Sequence, residues 1–197
     1  IHPVIVSQKL SVYRCLNIFI PFQYRGSERQ LHPLYHPLFI DYITYFNGNH
    51  DYFECHEVLE EYWKDVAPGD KCHPLVGYVQ IATGMYHWRR GNVNGAARIF
   101  KKGMTLLATP TDARFTEYLD MKQLHDDCTR ALQRMQDGKT FCAFTMHVTN
   151  DALNATVTAR MKELQPVDPQ FLLHKHQLRD RSDLLQARAQ KIASKQK

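Results

Sequence analysis

The chain has 197 residues, of which 44% are hydrophobic and 23% are charged. These proportions are typical of a globular protein and exclude a wholly disordered or collagen-like chain. The formal net charge of +5 is unevenly distributed, since residues 1–30 carry +3, 31–138 carry −3, 139–169 are neutral and 170–197 carry +5. Attraction to polyanions is therefore expected of the C-terminal tail and not of the middle of the chain.

The five cysteines are scattered and form no CxxC pair, which argues against both a disulfide framework and a zinc ribbon. The longest stretch without Asp, Glu, Lys or Arg in the middle of the chain runs from Cys72 to Trp88. It is too short and too polar to cross a membrane and is interpreted as a buried helix. These features predict a cytoplasmic protein with no membrane association.

The pattern of apolar residues divides the chain into four parts. Residues 1–30 have no sustained periodicity and are interpreted as a leader that is non-native or weakly ordered. Residues 31–138 form the predicted helical core, with proline, aspartate or asparagine at helix starts and glycine after helix ends. Helices are predicted over residues 37–47, 52–65, 74–89, 93–107 and 113–136.

The last 59 residues give weaker patterns. Residues 139–169 are predicted to form an appendage in which 141–149 alternate as a short strand, 150–164 form a helix and 166–169 form a linker. Residues 170–197 form a basic tail, with 182–195 either helical or disordered. The predicted fold is all-α: a compact antiparallel bundle of helix hairpins with this small C-terminal appendage.

Two helices carry polar residues that could perform chemistry. His56 and Glu60 lie four residues apart, at one edge of the apolar face of the second helix. The third helix has no charged residue before Arg89, but Gln80, Gly84 and His87 share one side. An interior glycine is unfavourable in a helix, so Gly84 predicts close approach by a neighbouring backbone or a ligand.

Because buried polar groups need partners, the polar residues of the second helix and those of the third helix are expected to meet between the two helices. The predicted cluster consists of His56, Glu60, Gln80 and His87, with Glu54 and Glu57 within reach. Three interpretations remain open: a structural hydrogen-bond network, a pocket for a small ligand or metal, and a general acid–base site. As a metal site it would hold a divalent transition metal through His56, Glu60 and His87, and the sequence assigns no catalytic residue.

Other features suggest partners. Helix hairpins can present a surface to a protein partner or to a second copy of the chain. The basic tail, through Lys175, Arg179 and Arg181, can contact the phosphates of a nucleic acid. The Cys72-His73 pair, beside Cys55-His56, suggests thiolate–imidazole ligation, but a Cys-His pair in a loop without a CxxC partner is more often incidental.

The segment Phe46-Asn47-Gly48 followed by 52–63, YFECHEVLEEYW, resembles the family of domain of unknown function 309. Residues 75–82, 86–92 and 95–98 resemble the same family, and 174–182 resemble the tail of its longer bacterial members. The resemblance implies a compact helical bundle and no established activity. The residues that match the family signature are Glu54, His56, Glu57, Glu60, Trp63, Gln80 and His87.

Overall fold

A computed structural model of the protein describes residues 32–178. The predicted leader 1–30 and the predicted basic segment 182–195 lie outside these residues. Between residues 32 and 178 the chain forms helices and no strand, which confirms the all-α prediction. The α-helices are α1 Pro37–Asn47, α2 Tyr52–Val66, α3 Pro74–Arg89, α4 Val93–Ala108, α5 Met121–Gln136, α6 Asp151–Glu163 and α7 Pro169–Leu178.

Side-chain caps fix the starts of the first four helices. Nδ1 of His36 and Nδ1 of His73 each accept a hydrogen bond of 3.3 Å from the amide two residues later, and a proline follows each histidine. Asp51 and Asn92 accept from the third residue of α2 and of α4. These acceptors satisfy amides that a helix leaves unpaired at its start. The predicted starts at residues 37, 52, 74 and 93 are confirmed.

Helix α3 lies between α2 and α4 and packs extensively against both. Its contact with α4 is unusually close at two glycines. A Cβ added at Gly84 would lie 2.4 Å from Cδ2 of Phe100, and one added at Gly77 would lie 2.8 Å from Cγ of Leu107. Both distances are shorter than van der Waals contact. Gly84 is therefore approached closely, but by the Phe100 side chain of α4 and not by the backbone or ligand that was expected.

The prediction of a continuous helix over 113–136 is wrong at its start. Residues 113–115 form a single 3₁₀ turn, and α5 begins only at Met121, after the cap Asp120. Between them, residues 116–118 form a turn, and the residues around Leu119 pair with a distant part of the chain. The amide of Asp120 donates to the carbonyl of His147, and the amide of Thr149 donates to the carbonyl of Tyr118, each over 2.9 Å.

The same pairing corrects the predicted strand at 141–149. This segment is extended but forms one isolated antiparallel bridge, between Val148 and Leu119, and no ladder. The predicted alternation holds in part, because Met146 and Val148 are buried, whereas Cys142 is exposed. The side chain of Asn47 holds the segment against α1 through two 2.8 Å hydrogen bonds to the backbone of Met146.

Two helices follow the extended segment. Helix α6 matches its predicted range and packs on α1, where Arg160 pairs with Asp41. Helix α7 was not expected, because Pro169 was assigned to a linker and residues 170–178 to the tail. It contacts α2 and therefore belongs to the packed structure. Of the helices between residues 32 and 178, none is both long and apolar enough to cross a membrane.

Candidate functional site

The first turn of α2 holds two carboxylates that are paired with another helix. Asp51 caps α2, its side chain is almost fully buried, and it forms an ion pair with Lys175 of α7. The same ammonium group lies 2.8 Å from Oε1 of Glu54. Burial alone would lower the pKa of Lys175, but hydrogen bonds to Asp51 and Glu54 outweigh it and raise the pKa. Lys175 thus remains charged and ties α7 to α2.

Arg89, at the end of α3, strengthens the same junction. Its guanidinium donates to the carbonyl of His50 over 2.8 Å and to the carbonyl of Leu172 over 3.4 Å. Its central carbon lies 5.0 Å from the ring centroid of Tyr52, a cation–π distance. One turn earlier, the hydroxyl of Tyr86 donates to the carbonyl of Leu173 over 3.3 Å. These contacts give the N-terminal end of α2 a structural role.

One turn further along α2, three polar side chains converge in a different setting. His56, Glu57 and Glu60 each offer one ligand atom, and these atoms lie within 4.8 Å of one another. We call this set the α2 triad. Nδ1 of His56 lies 3.3 Å from Oε1 of Glu57, and Glu60 forms an i,i+4 ion pair of 3.0 Å with Lys64. The three side chains are 34%, 29% and 35% exposed, so solvent ions can reach them.

The other two residues of the predicted cluster lie on α3 with different neighbours. Oε1 of Gln80 is buried without a hydrogen-bond partner among the described residues. A Cβ added at Gly103 of α4 would lie 3.2 Å from Cβ of Gln80. Nδ1 of His87 lies 3.4 Å from the side-chain nitrogen of Asn92, and burial, with a smaller effect of Arg90, lowers its pKa. The polar side of α3 therefore turns toward α4.

The structure thus joins His56, Glu57 and Glu60 and joins Glu54 to Lys175. Among the hydrogen bonds and ion pairs of residues 32–178, none connects His56 or Glu60 to Gln80 or His87. Trp63, the remaining signature residue, donates from Nε1 to the carbonyl of Asp70 over 2.8 Å and fixes the loop after α2. His73 caps α3, and its neighbour Cys72 is a free, exposed thiol.

Sequence reasoning missed Lys175 and Arg89 as partners of the signature residues. Both act across helices that are distant in the sequence, and no local spacing predicts such contacts. For Lys175, the nearest signal was its place in the 174–182 segment that resembles longer family members. The predicted phosphate contacts of the tail included Lys175, whose charge is instead paired with Asp51 and Glu54. Arg179 and Arg181 lie outside the described residues.

Comparison with known proteins accords with this geometry. A family model described as "Domain of unknown function (DUF309)" matches residues 39–99, the range that contains the α2 triad, Gln80 and His87. The uncharacterized protein YpuF of Bacillus subtilis (strain 168) is 30% identical over 171 residues, covering 83% of this chain and 98% of the relative. The chain belongs to the DUF309 family. No solved structure matches it significantly.

Within this DUF309 protein, the family match contains polar residues of two kinds. Glu54 contributes to the junction with α7, whereas the α2 triad brings together one imidazole and two carboxylates near the surface. Nitrogen and oxygen donors of this type suit divalent cations such as Zn²⁺, Mn²⁺, Fe²⁺ and Co²⁺.

Proposed function

We propose that this protein binds a divalent transition metal through His56, Glu57 and Glu60. The observation that carries the proposal is the convergence of their three ligand atoms within 4.8 Å on one helix. An imidazole and a carboxylate four residues apart project from the same face of a helix, so both can reach one ion. Glu57 adds a second carboxylate from the adjoining turn.

A purely structural role is less well supported for His56 and Glu60 than for Asp51 and Glu54. His56 and Glu60 make the contacts described above only with residues of α2 itself, within the part of the chain that the structure describes. A residue that held two helices together would bond across the interface, as Lys175 does. His56 and Glu60 are therefore available for a ligand from solution.

Three protein ligands would leave coordination positions for water or for a small molecule with oxygen donors. A metal held in this way supplies Lewis-acid chemistry and lowers the pKa of its bound water. His87 was expected as a third ligand from α3. We leave it out of the proposed set because its ring nitrogen bonds Asn92 and its side of α3 faces α4.

The test is calorimetric titration of chelator-treated full-length protein with Zn²⁺ and with Mn²⁺. We expect one ion per chain and a melting temperature that rises with metal, since a ligand at 100 times its Kd stabilises the folded state by about 2.7 kcal/mol. His56→Ala and Glu60→Gln should each weaken binding by about tenfold or more, equivalent to 1.4 kcal/mol. Elemental analysis of the protein as purified shows which metal it carries.

The matched control is His147→Ala, which removes another surface histidine whose side chain is 59% exposed. It should leave both the affinity and the stoichiometry unchanged. Equal weakening by His147→Ala would mean that binding is nonspecific and would contradict the proposal. The absence of saturable binding of both metals to the parent protein would contradict it as well.

The cysteines support a reducing, cytoplasmic location for this function. Cys55, Cys72, Cys128 and Cys142 are all free thiols, and two of them are exposed. Exposed unpaired thiols are typical of proteins kept in a reducing compartment. Thiol labelling of the protein in intact cells, before and after permeabilisation, tests this location.

A further inference from the structure

A cavity of about 270 Å³ opens between α3, α4 and α5, on residues distinct from the α2 triad. Its walls are mostly apolar. The side chains that form them are Ile81, Met104, Leu107, Met121, Leu124 and Cys128. A concave site lined mainly by apolar side chains, with a few polar groups beside it, is typical of sites that bind small molecules.

The size of the cavity restricts that occupant to a small molecule. An apolar cavity of about 150 Å³ accommodates a benzene ring, so this one has room for a ring with a short chain or for an alkyl chain. A docked helix would need several anchors spaced along a longer groove. Two methionines in the wall, Met104 and Met121, can adjust to chains of different shape because their side chains are unbranched and flexible.

The mouth of the cavity carries the polar groups that would select the ligand. Lys122 and His125 belong to its lining, and their side chains are 87% and 60% exposed, so their polar ends lie at the solvent side. Asp126 is also there, with Oδ2 2.8 Å from Nζ of Lys122. An ammonium group has three donors, so Lys122 can hold a second carboxylate while it stays paired with Asp126.

We infer that this cavity binds a small amphipathic carboxylate, with the apolar chain between α3, α4 and α5 and the carboxylate at Lys122. The apolar walls supply the affinity through buried area. Lys122 can bind the carboxylate through the donors that its ion pair with Asp126 leaves free. This site is independent of the proposed metal site and of the junction with α7.

The test compares octanoate with octylammonium, which have the same chain length and opposite charge, by calorimetric titration of the full-length protein. Octanoate should bind with a stoichiometry of one and about tenfold more tightly than octylammonium. The carboxylate of octanoate attracts the exposed ammonium group of Lys122, whereas the cation of octylammonium is repelled by it. Lys122→Gln should reduce that preference to about twofold. Equal affinities of the two ligands for the parent protein would overturn the inference.

A second pair of variants separates the cavity from the rest of the surface. Ala108→Trp places a large side chain at an exposed residue of the lining and should weaken octanoate binding by about tenfold or more. Thr105→Trp adds the same side chain at an exposed α4 position that does not line the cavity and should leave binding unchanged. Equal loss in both variants, or no saturable octanoate binding to the parent, would refute the site. Octanoate-induced NMR shifts confined to α3, α4 and α5 would support it.

Discussion

Glu54 and Glu60 lie on the same helix, both belong to the family signature, and their side chains are equally exposed, at 35%. They differ in their partners. Glu54 is bonded to Lys175, a partly buried ammonium group from α7, while Glu60 is bonded to Lys64, an exposed group one turn along α2. Solvent exposure therefore does not distinguish the structural Glu54 from Glu60, which is available to a ligand. The two differ in whether the bonded lysine comes from another helix or from α2 itself.

The same contrast applies to the neighbours of these two glutamates. Asp51 caps its own helix and anchors α7, so each of its two carboxylate oxygens has a structural role. His56, by comparison, contacts Glu57 within α2. The α2 part of the family signature thus combines Glu54, which helps to hold α7, with the proposed metal ligands His56, Glu57 and Glu60. Substitutions should distinguish the two groups by their effects on stability.

The largest loss of stability is expected for Asp51→Ala. The substitution removes the cap of α2 and leaves Lys175 without its most buried partner. Loss of a cap costs about 1 kcal/mol, and loss of one partner of a buried ion pair costs more, so we expect about 3 kcal/mol in urea unfolding.

Asp51→Asn separates the contribution of the helix cap from that of the ion pair. Asparagine still accepts the hydrogen bond from the amide of Glu54 but cannot form the ion pair. It should therefore recover about 1 kcal/mol relative to Asp51→Ala. Equal stability of the two variants would show that the cap contributes nothing at this position.

Helix α7 provides the second test, through Lys175→Met. Methionine keeps the apolar stem and removes the charge, so we expect α7 to lose about 2 kcal/mol of docking free energy, part of which is recovered when the freed carboxylates become hydrated. Amide hydrogen exchange should accelerate in residues 169–178 and not in α4. Lys162→Met, at an exposed lysine of α6, is the control and should leave exchange unchanged.

These cross-helix contacts also mark what the sequence can predict. The starts of α1 to α4 were predictable because each is set by a local cap or proline. Helix α5 also begins at a local cap, Asp120, but the pairing of this residue with His147 and the contacts of α7 with α2 and α3 involve distant partners. Local periodicity carries no information about such partners.

The candidate site divides in the same way. The i,i+4 spacing of His56 and Glu60 placed them together correctly, because both positions belong to one helix. The expected contact of these two residues with Gln80 and His87 depended on how α3 is rotated about its own axis, because α3 would have to turn the side that carries Gln80 and His87 toward α2. That rotation is set by the close packing of Gly77 and Gly84 on α4, and it turns the polar side of α3 away from the expected direction. The sequence signalled a close approach at Gly84 but not which helix makes it.

A smaller effect is expected at another capping group, His73, whose contribution depends on pH. Its Nδ1 must be unprotonated to accept from the amide of Leu75. Burial lowers its pKa, and the weaker effects of Asp70 and Asp112 oppose this shift. The folded-state pKa therefore lies below the unfolded value of about 6.5, and between the two the unfolded chain binds more protons.

In that window the contribution of His73 to stability falls as pH decreases from 6.5 toward the folded-state pKa. Its slope cannot exceed about 1.4 kcal/mol per pH unit. His73→Asn keeps an acceptor at the cap and removes the titration, so its unfolding free energy should fall less than that of the parent between pH 7.5 and 5.5. Identical pH dependence in urea unfolding would show that the histidine does not act through its protonation state.

The smallest effects are expected from glutamate-to-glutamine substitutions at Glu54 and at Glu60. In metal-free protein, Glu60→Gln removes one exposed i,i+4 ion pair and should cost about 0.3–0.5 kcal/mol. Glu54→Gln weakens a contact to the partly buried Lys175 and should cost about 1 kcal/mol, a value reduced because Glu54 itself is partly exposed. Urea unfolding of both variants, side by side, measures the difference. Added Zn²⁺ should then stabilise Glu54→Gln as much as the parent and stabilise Glu60→Gln much less. If Glu60→Gln were the more destabilised in the absence of metal, Glu60 would have a structural role, and the distinction by the origin of the partner would fail.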